Sequence, residues 1–184
     1  MRTKKILAAI TTATAAVVLT ACSSSPDEEF NEADVTFAQD MIPHHRQATE
    51  MAALAESRTT NRQVLDLASQ IEAAQEPEIE TMTDWLESWD QEVPDSMAGH
   101  EGMDHSGSMP GMMSEQDMSA LEDAQGSAFD EAFLTMMIEH HEGAIEMAAT
   151  EQEDGSNSDA VALARKIEED QTAEVDRMRT LLDS

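Results

Sequence analysis

The sequence predicts an all-α protein: an antiparallel four-helix bundle made of two repeated helical hairpins, with one short extra helix. Three observations carry this. The stretch FAQDMIPHHRQATEMAA, Phe37 to Ala53, recurs as FLTMMIEHHEGAIEMAA, Phe133 to Ala149, at a constant offset of 96 positions. The match continues, with Leu67, Ala68, Ile71, Glu72, Gln75, Glu78, Met82 and Leu86 returning as Leu163, Ala164, Ile167, Glu168, Gln171, Glu174, Met178 and Leu182, so the repeats cover 37–86 and 133–182. No segment shows the apolar alternation of a strand, and with no tyrosine and four phenylalanines there is little to fill a sheet core.

Taken in order, the chain opens with Arg2, Lys4 and Lys5, an apolar run from Ile6 to Leu19, then Leu19-Thr20-Ala21-Cys22. The run is too short for a transmembrane span and reads as a signal peptide over 1–21. Small residues followed directly by cysteine look like a bacterial lipobox, which makes Cys22 the expected lipidated first residue of the mature chain. Cys22 is the single cysteine, so no intramolecular disulfide is possible. Residues 22–30 form a polar tether, and 31–184 a single domain.

The first helix is expected from about Asn31, which can cap it with Asp34 at the third position, to about Ser57. Pro43 inside it predicts a kink or a late helix start before His44. The second helix covers about Arg62 to Trp89, with apolar positions at three- and four-residue spacing and Pro77 expected to bend it. A crossover rich in Gly, Pro, Ser, Met and His spans 91–118, within which Ser114 and Asp117 resemble the cap of a short helix reaching about Ala124. Two further helices, about Ser127 to Gln152 and Ser158 to Leu182, flank a turn at Asp154-Gly155-Ser156-Asn157. Short turns within each hairpin and one long crossover give the antiparallel bundle internal pseudo-twofold symmetry.

The formal charge is −29, and −32 once Arg2, Lys4 and Lys5 are gone. Such a surface repels nucleic acid and anionic lipid headgroups, which excludes a nucleic-acid function and favours cations as small partners. Most of the carboxylates belong on solvated helix faces.

Three groups of residues can carry chemistry. At 100° per residue Phe37, Met41, His44, His45, Ala48, Met51, Ala52 and Ala55 share an arc of roughly 140°, so both histidines point inward. Met41 lies three residues before His44, about 5–6 Å away on the same face, as Met137 does before His140 and His141. A lone histidine on such a stripe is ordinarily a hydrogen-bonded core residue. Two adjacent histidines in each of two copies, each pair led by methionine, point instead to a metal. Met51, and by repetition Met147, sits about 10.5 Å along the axis from the first histidine, better placed for an ion held from a facing helix. Which histidine of each pair is the ligand stays open.

The second group is Gln75, Glu78 and Met82 with its copy Gln171, Glu174 and Met178. Polar side chains on an apolar stripe need partners, and the carboxylates are placed to hydrogen-bond the histidines and fix their tautomers. Met82 and Met178 read equally as ligands or as core filler.

The third group lies in the crossover: Met97, His100, Met103, His105, Met109, Met112 and Met113, followed by Met118. Six methionines in 22 residues, among glycine and serine, have no evident core to fill. Thioether sulfur is a soft, neutral ligand suited to Cu(I) or Ag(I). An incidental or oxidant-scavenging linker is the alternative.

The tandem D-M-x-x-H-H-x-x-A-x-E-M-A followed by Q-x-x-E-[IV]-x-x-M resembles a bacterial family known as domain of unknown function 305. In the second copy Met136 stands in place of Asp40. The resemblance implies a ferritin-like helical bundle and copper binding outside the cytoplasm. His100 to Met113, HEGMDHSGSMPGMM, is similar to the Met/His segments of copper-resistance proteins. The expectation is therefore a copper-binding protein, lipid-anchored on the extracytoplasmic face of the cell membrane. It would sequester Cu(I) or transfer it to a copper exporter or cuproenzyme, and would not be an enzyme. Two rivals are a di-iron ferritin-like oxidase or storage protein and a purely structural helical lipoprotein. The first needs Glu-x-x-His on inward faces, where this chain has Met41 and Met137; the second leaves the methionine-rich crossover without a purpose.

Overall fold

Capping chemistry sets the helix boundaries. The computed structural model describes residues 30–94 and 109–184, with helices α1 (Glu32–Arg58), α2 (Arg62–Ser88), α3 (Glu115–Asp123), α4 (Ser127–Asp154) and α5 (Ser158–Leu182). The described residues contain no strand. The Asn31 side chain accepts the Ala33 and Asp34 backbone N–H groups while Asp34 accepts the Asn31 N–H, a reciprocal cap. Ser114 and Asp117 repeat the arrangement at α3. Asn61 and Asn157 cap α2 and α5. Pro43 neither delays nor breaks α1, and α2 runs on through Pro77. A proline forfeits one backbone hydrogen bond and fits helical φ; burial of Phe37, Met41 and Ile42 before Pro43 and of Ala48 and Met51 after it keeps the helix intact.

The two hairpins, α1–α2 and α4–α5, meet through α1 and α4, which run antiparallel. At one end the Gly126 N–H donates to the Arg58 carbonyl; at the other the Asn31 amide donates to the Asp154 carbonyl. On the outer side α5 reaches α2 through Arg177 to Gln70 and Lys166 to Glu78. Helix α3 covers one end, its Leu121 buried with Met51, Ala55, Phe129 and Phe133.

The core is in two parts. One apolar cluster contains Met51, Leu67, Ile71, Phe129, Phe133, Met137 and Met178; the other contains Phe37, Met41, Ile42, Met82, Leu86, Ala148 and Ile167. In sequence the four paired histidines fall between them, because each helix carries its His-His at mid-length.

A second buried polar group secures the α4–α5 turn. The Asp34 carboxylate accepts hydrogen bonds from the Asn31, Ser156 and Asn157 backbone N–H groups and from the Ser156 hydroxyl. Burial would raise its pKa, but these donors hold it below the usual value. Buried Glu151 has no donor at either oxygen. Burial and the neighbouring Asp34 carboxylate push it up to about 8, so at neutral pH it carries a proton.

A carboxyl whose folded pKa lies above its unfolded value contributes stability at low pH that is lost as pH rises through the folded value. Wild type is therefore expected to lose stability relative to Glu151→Gln as pH rises from about 4.5 to about 8, with no further divergence above that. Thermal unfolding at fixed ionic strength checks this; parallel pH curves for the two proteins would contradict it.

Candidate metal centre

Helices α1 and α4 cross at their histidine pairs. The His44 and His140 rings lie 3.7 Å apart between centroids, tilted by 37°, and all four histidines are buried, none more than 1% exposed. The outer member of each pair is held by the carboxylate the repeat provides. His45 Nε2–H donates to Glu78 Oε2 at 2.9 Å, and His141 Nε2–H donates to Glu174 Oε2 at 2.7 Å. With the proton fixed on Nε2, the lone pair of each ring sits on Nδ1, and neither Nδ1 has a hydrogen-bond partner. This is how a carboxylate orients a histidine whose other nitrogen binds a metal.

His44 Nε2–H donates to the Pro110 carbonyl at 3.0 Å, again leaving Nδ1 unpartnered. His140 has no well-formed hydrogen bond at either nitrogen. Gln75 and Gln171, one turn before the carboxylates, are buried with their amide oxygens unpartnered. An unpaired buried polar atom costs about 1–3 kcal/mol, so a row of them inside a bundle is an expensive arrangement.

The same burial keeps His44, His45 and His140 neutral. Desolvation, with His45 adjacent, lowers His44 to about 3. It lowers His45 despite Glu78, and lowers His140 well below the ordinary value. Neutral imidazoles bind metal without first losing a proton. Among the described residues no three His, Cys, Asp or Glu side chains converge closely enough to hold an ion. Met41, Met82, Met137 and Met178 are fully buried in the two clusters.

The crossover is fastened to this layer at both of its described ends. The Gln39 amide donates to the Glu92 carbonyl and the Arg46 guanidinium to the Pro94 carbonyl. At the far end Met109-Pro110-Gly111-Met112 forms a tight turn, with proline second and Gly111 third at φ 75°, the type II pattern. The Gln47 amide then clamps Met113, donating to its carbonyl at 2.9 Å and accepting its N–H at 2.7 Å. Gly143, the repeat counterpart of Gln47, lets the turn lie on α4; a Cβ there would overlap the Pro110 carbonyl. The repeat hides this strap, since Gln47 and Gly143 differ where most core positions agree.

The DUF305 family profile, a domain of unknown function, matches residues 34–182. The chain belongs to the DUF305 family. A family member from Streptomyces coelicolor is 33% identical, with 82% of this chain and 91% of that one covered and a TM-score of 0.73. A DUF305 fragment from Deinococcus radiodurans is 29% identical over 83% and 97% of the two chains, also at 0.73. CopM, whose Cu(II)-bound form is 30% identical over 82% and 95% at a TM-score of 0.68, has also been solved with Cu(I) and with Ag bound. No curated protein matches the chain.

The other candidate ligands are dispersed. Met51 is buried in the cluster beneath α3, and Met147 lines an open groove of about 480 Å³ between α1 and α4 with Glu32, Thr36, Phe37, Asp40 and Glu151, so neither is drawn to the ring pair. Met109 and Met112 lie in the strap turn, half-buried. Met113 and Met118 pack against the apolar core, which corrects the expectation that the crossover methionines have no core to fill: Met118 lies on α3 and Met113 just before it, both against the cluster that buries Leu121. Met97, His100, Met103, His105 and Cys22 lie outside the described residues.

Histidines with folded values below about 6.5 contribute stability above that pH and lose it as pH falls toward the folded value. For His44 that window runs from about 6.5 to about 3. Metal-free protein is thus expected to lose stability as pH falls from 6.5 to 4.5, with a shallower slope in a His44→Leu/His140→Leu variant. Chemical denaturation across the range tests it; an equal slope in the variant would mean that the rings are protonated in the fold.

Proposed function

We propose that this protein is an extracytoplasmic copper-binding protein, tethered to the membrane through lipidated Cys22, that holds Cu(I) with imidazole and thioether ligands. It sequesters the ion or passes it by ligand exchange to an exporter or cuproenzyme, and catalyses no reaction. The observation that carries this reading is the buried layer of histidines with unpartnered Nδ1 atoms, two of them oriented by carboxylates. Borderline imidazole nitrogen beside soft sulfur suits Cu(I), and the similar CopM has been solved with Cu(I), Cu(II) and Ag bound. The crossover adds a second group of soft ligands, since its described ends are fastened beside the histidines, Pro94 by Arg46 and Pro110 by His44.

The di-iron alternative fits less well. Such a centre places carboxylates on the metal, whereas Glu78 and Glu174 are taken up by the outer nitrogens of His45 and His141.

Competition against a chromophoric Cu(I) chelator under reducing conditions tests the proposal. Wild type should withdraw Cu(I) in preference to Zn(II) and Fe(II). Replacing His44, His45, His140 and His141 by Ala should remove the tightest site. Replacing Met97, Met103, Met109, Met112 and Met113 by Leu should lower capacity but keep that site, because the long helices preorganise its ligands. Unchanged tight binding in the histidine variant would overturn the reading.

A further inference from the structure

The two carboxylate–histidine pairs are related by the repeat, yet only one of them is neutralised from outside. Lys166 on α5 donates to Glu78 Oε1 at 2.9 Å, while the other oxygen of Glu78 holds His45. Lys166 also pairs with Asp170, one turn on, at 2.7 Å. In the other half the position equivalent to Lys166 is Gln70. Its amide oxygen accepts from Arg177 instead. Among the described residues Glu174 forms no ion pair with lysine or arginine, and it accepts its hydrogen bond from His141. Asp170, too, has no acidic counterpart, since Ala74 occupies that place.

We propose that Lys166 makes the two halves of the histidine layer unequal, so that a cation is held more tightly on the His141–Glu174 side than on the His45–Glu78 side. This rests on the function proposed above. A carboxylate that accepts a ring N–H pushes electron density toward the opposite nitrogen and strengthens it as a ligand. An ammonium on the same carboxylate draws that density back and adds a positive charge near the ion. Lys166 therefore weakens His45 Nδ1 through Glu78, while His141 Nδ1 keeps the full effect of Glu174. It is a positioning residue, with no contact to the metal. Unequal halves suit a carrier, because an ion on the weaker side can leave while the stronger side stays filled.

The test isolates each half with Cu(I) and a competing chelator. In a His141→Ala background, which leaves the His45 half, Lys166→Gln should tighten binding by about tenfold, the lower end of what partners of metal-bound histidines contribute. In a His45→Ala background the same substitution should change nothing. Lys166→Arg should keep the wild-type value, and the gain from Lys166→Gln should shrink at high salt. A gain in affinity is not what structural damage produces, and the Lys166 side chain is 56% exposed. An unchanged constant in the His141→Ala background, or an equal gain in both, overturns the inference. If His45→Ala and His141→Ala both bind as wild type does, the function reading itself has failed, and this inference with it.

Discussion

The structure turns on the meeting of four buried imidazoles in the middle of a helical bundle. Water is excluded from the rings, and their Nδ1 atoms face no donor. Several unpaired polar atoms at about 1–3 kcal/mol each weigh heavily against a net stability of about 5–15 kcal/mol. Apolar side chains of similar size would form a better core. The apolar clusters on either side, built from the methionine, leucine and phenylalanine stripes of all four long helices, supply the burial that makes the layer tolerable. Glu78 and Glu174 then fix the direction in which the lone pairs are offered.

Pseudo-symmetry builds the layer, and departures from it give the layer its surroundings. Gln47 and Gly143 let the Pro110–Met113 strap cross the histidines. Lys166 against Gln70 makes the flanking charges unequal. Glu151, where the first copy has Ala55, sets a protonated carboxyl beside the Asp34 carboxylate at the α4–α5 turn. The leading end of the repeat is likewise covered in one half by α3, while the corresponding α1–α4 groove beside Met147 stays open.

Much of this was legible in the sequence because helical periodicity and repetition act locally. Inward-facing Met41, His44 and His45, the Asn31 and Ser114 caps, and the carboxylates one hairpin away followed from spacing alone. The late helix start weighed at Pro43 does not occur, because burial on both sides of it, invisible to local spacing, holds the helix together. Met113 and Met118 were misjudged because a Gly/Ser-rich neighbourhood hides the core contact that α3 makes. The strap, Lys166 and Glu151 depend on residues distant in sequence. Their signal was present as mismatches between the two copies, which a search for agreement discards.

The central claim is that His45 and His141 offer Nδ1 to a soft metal while Nε2–H stays on its carboxylate. Titrating Ag(I) into protein with ¹⁵N-labelled histidine tests this directly. The account predicts silver–nitrogen coupling at Nδ1 of His45 and His141, with their Nε2 protons retained. Coupling at Nε2 with loss of those protons, or imidazole spectra unmoved by silver, would contradict it.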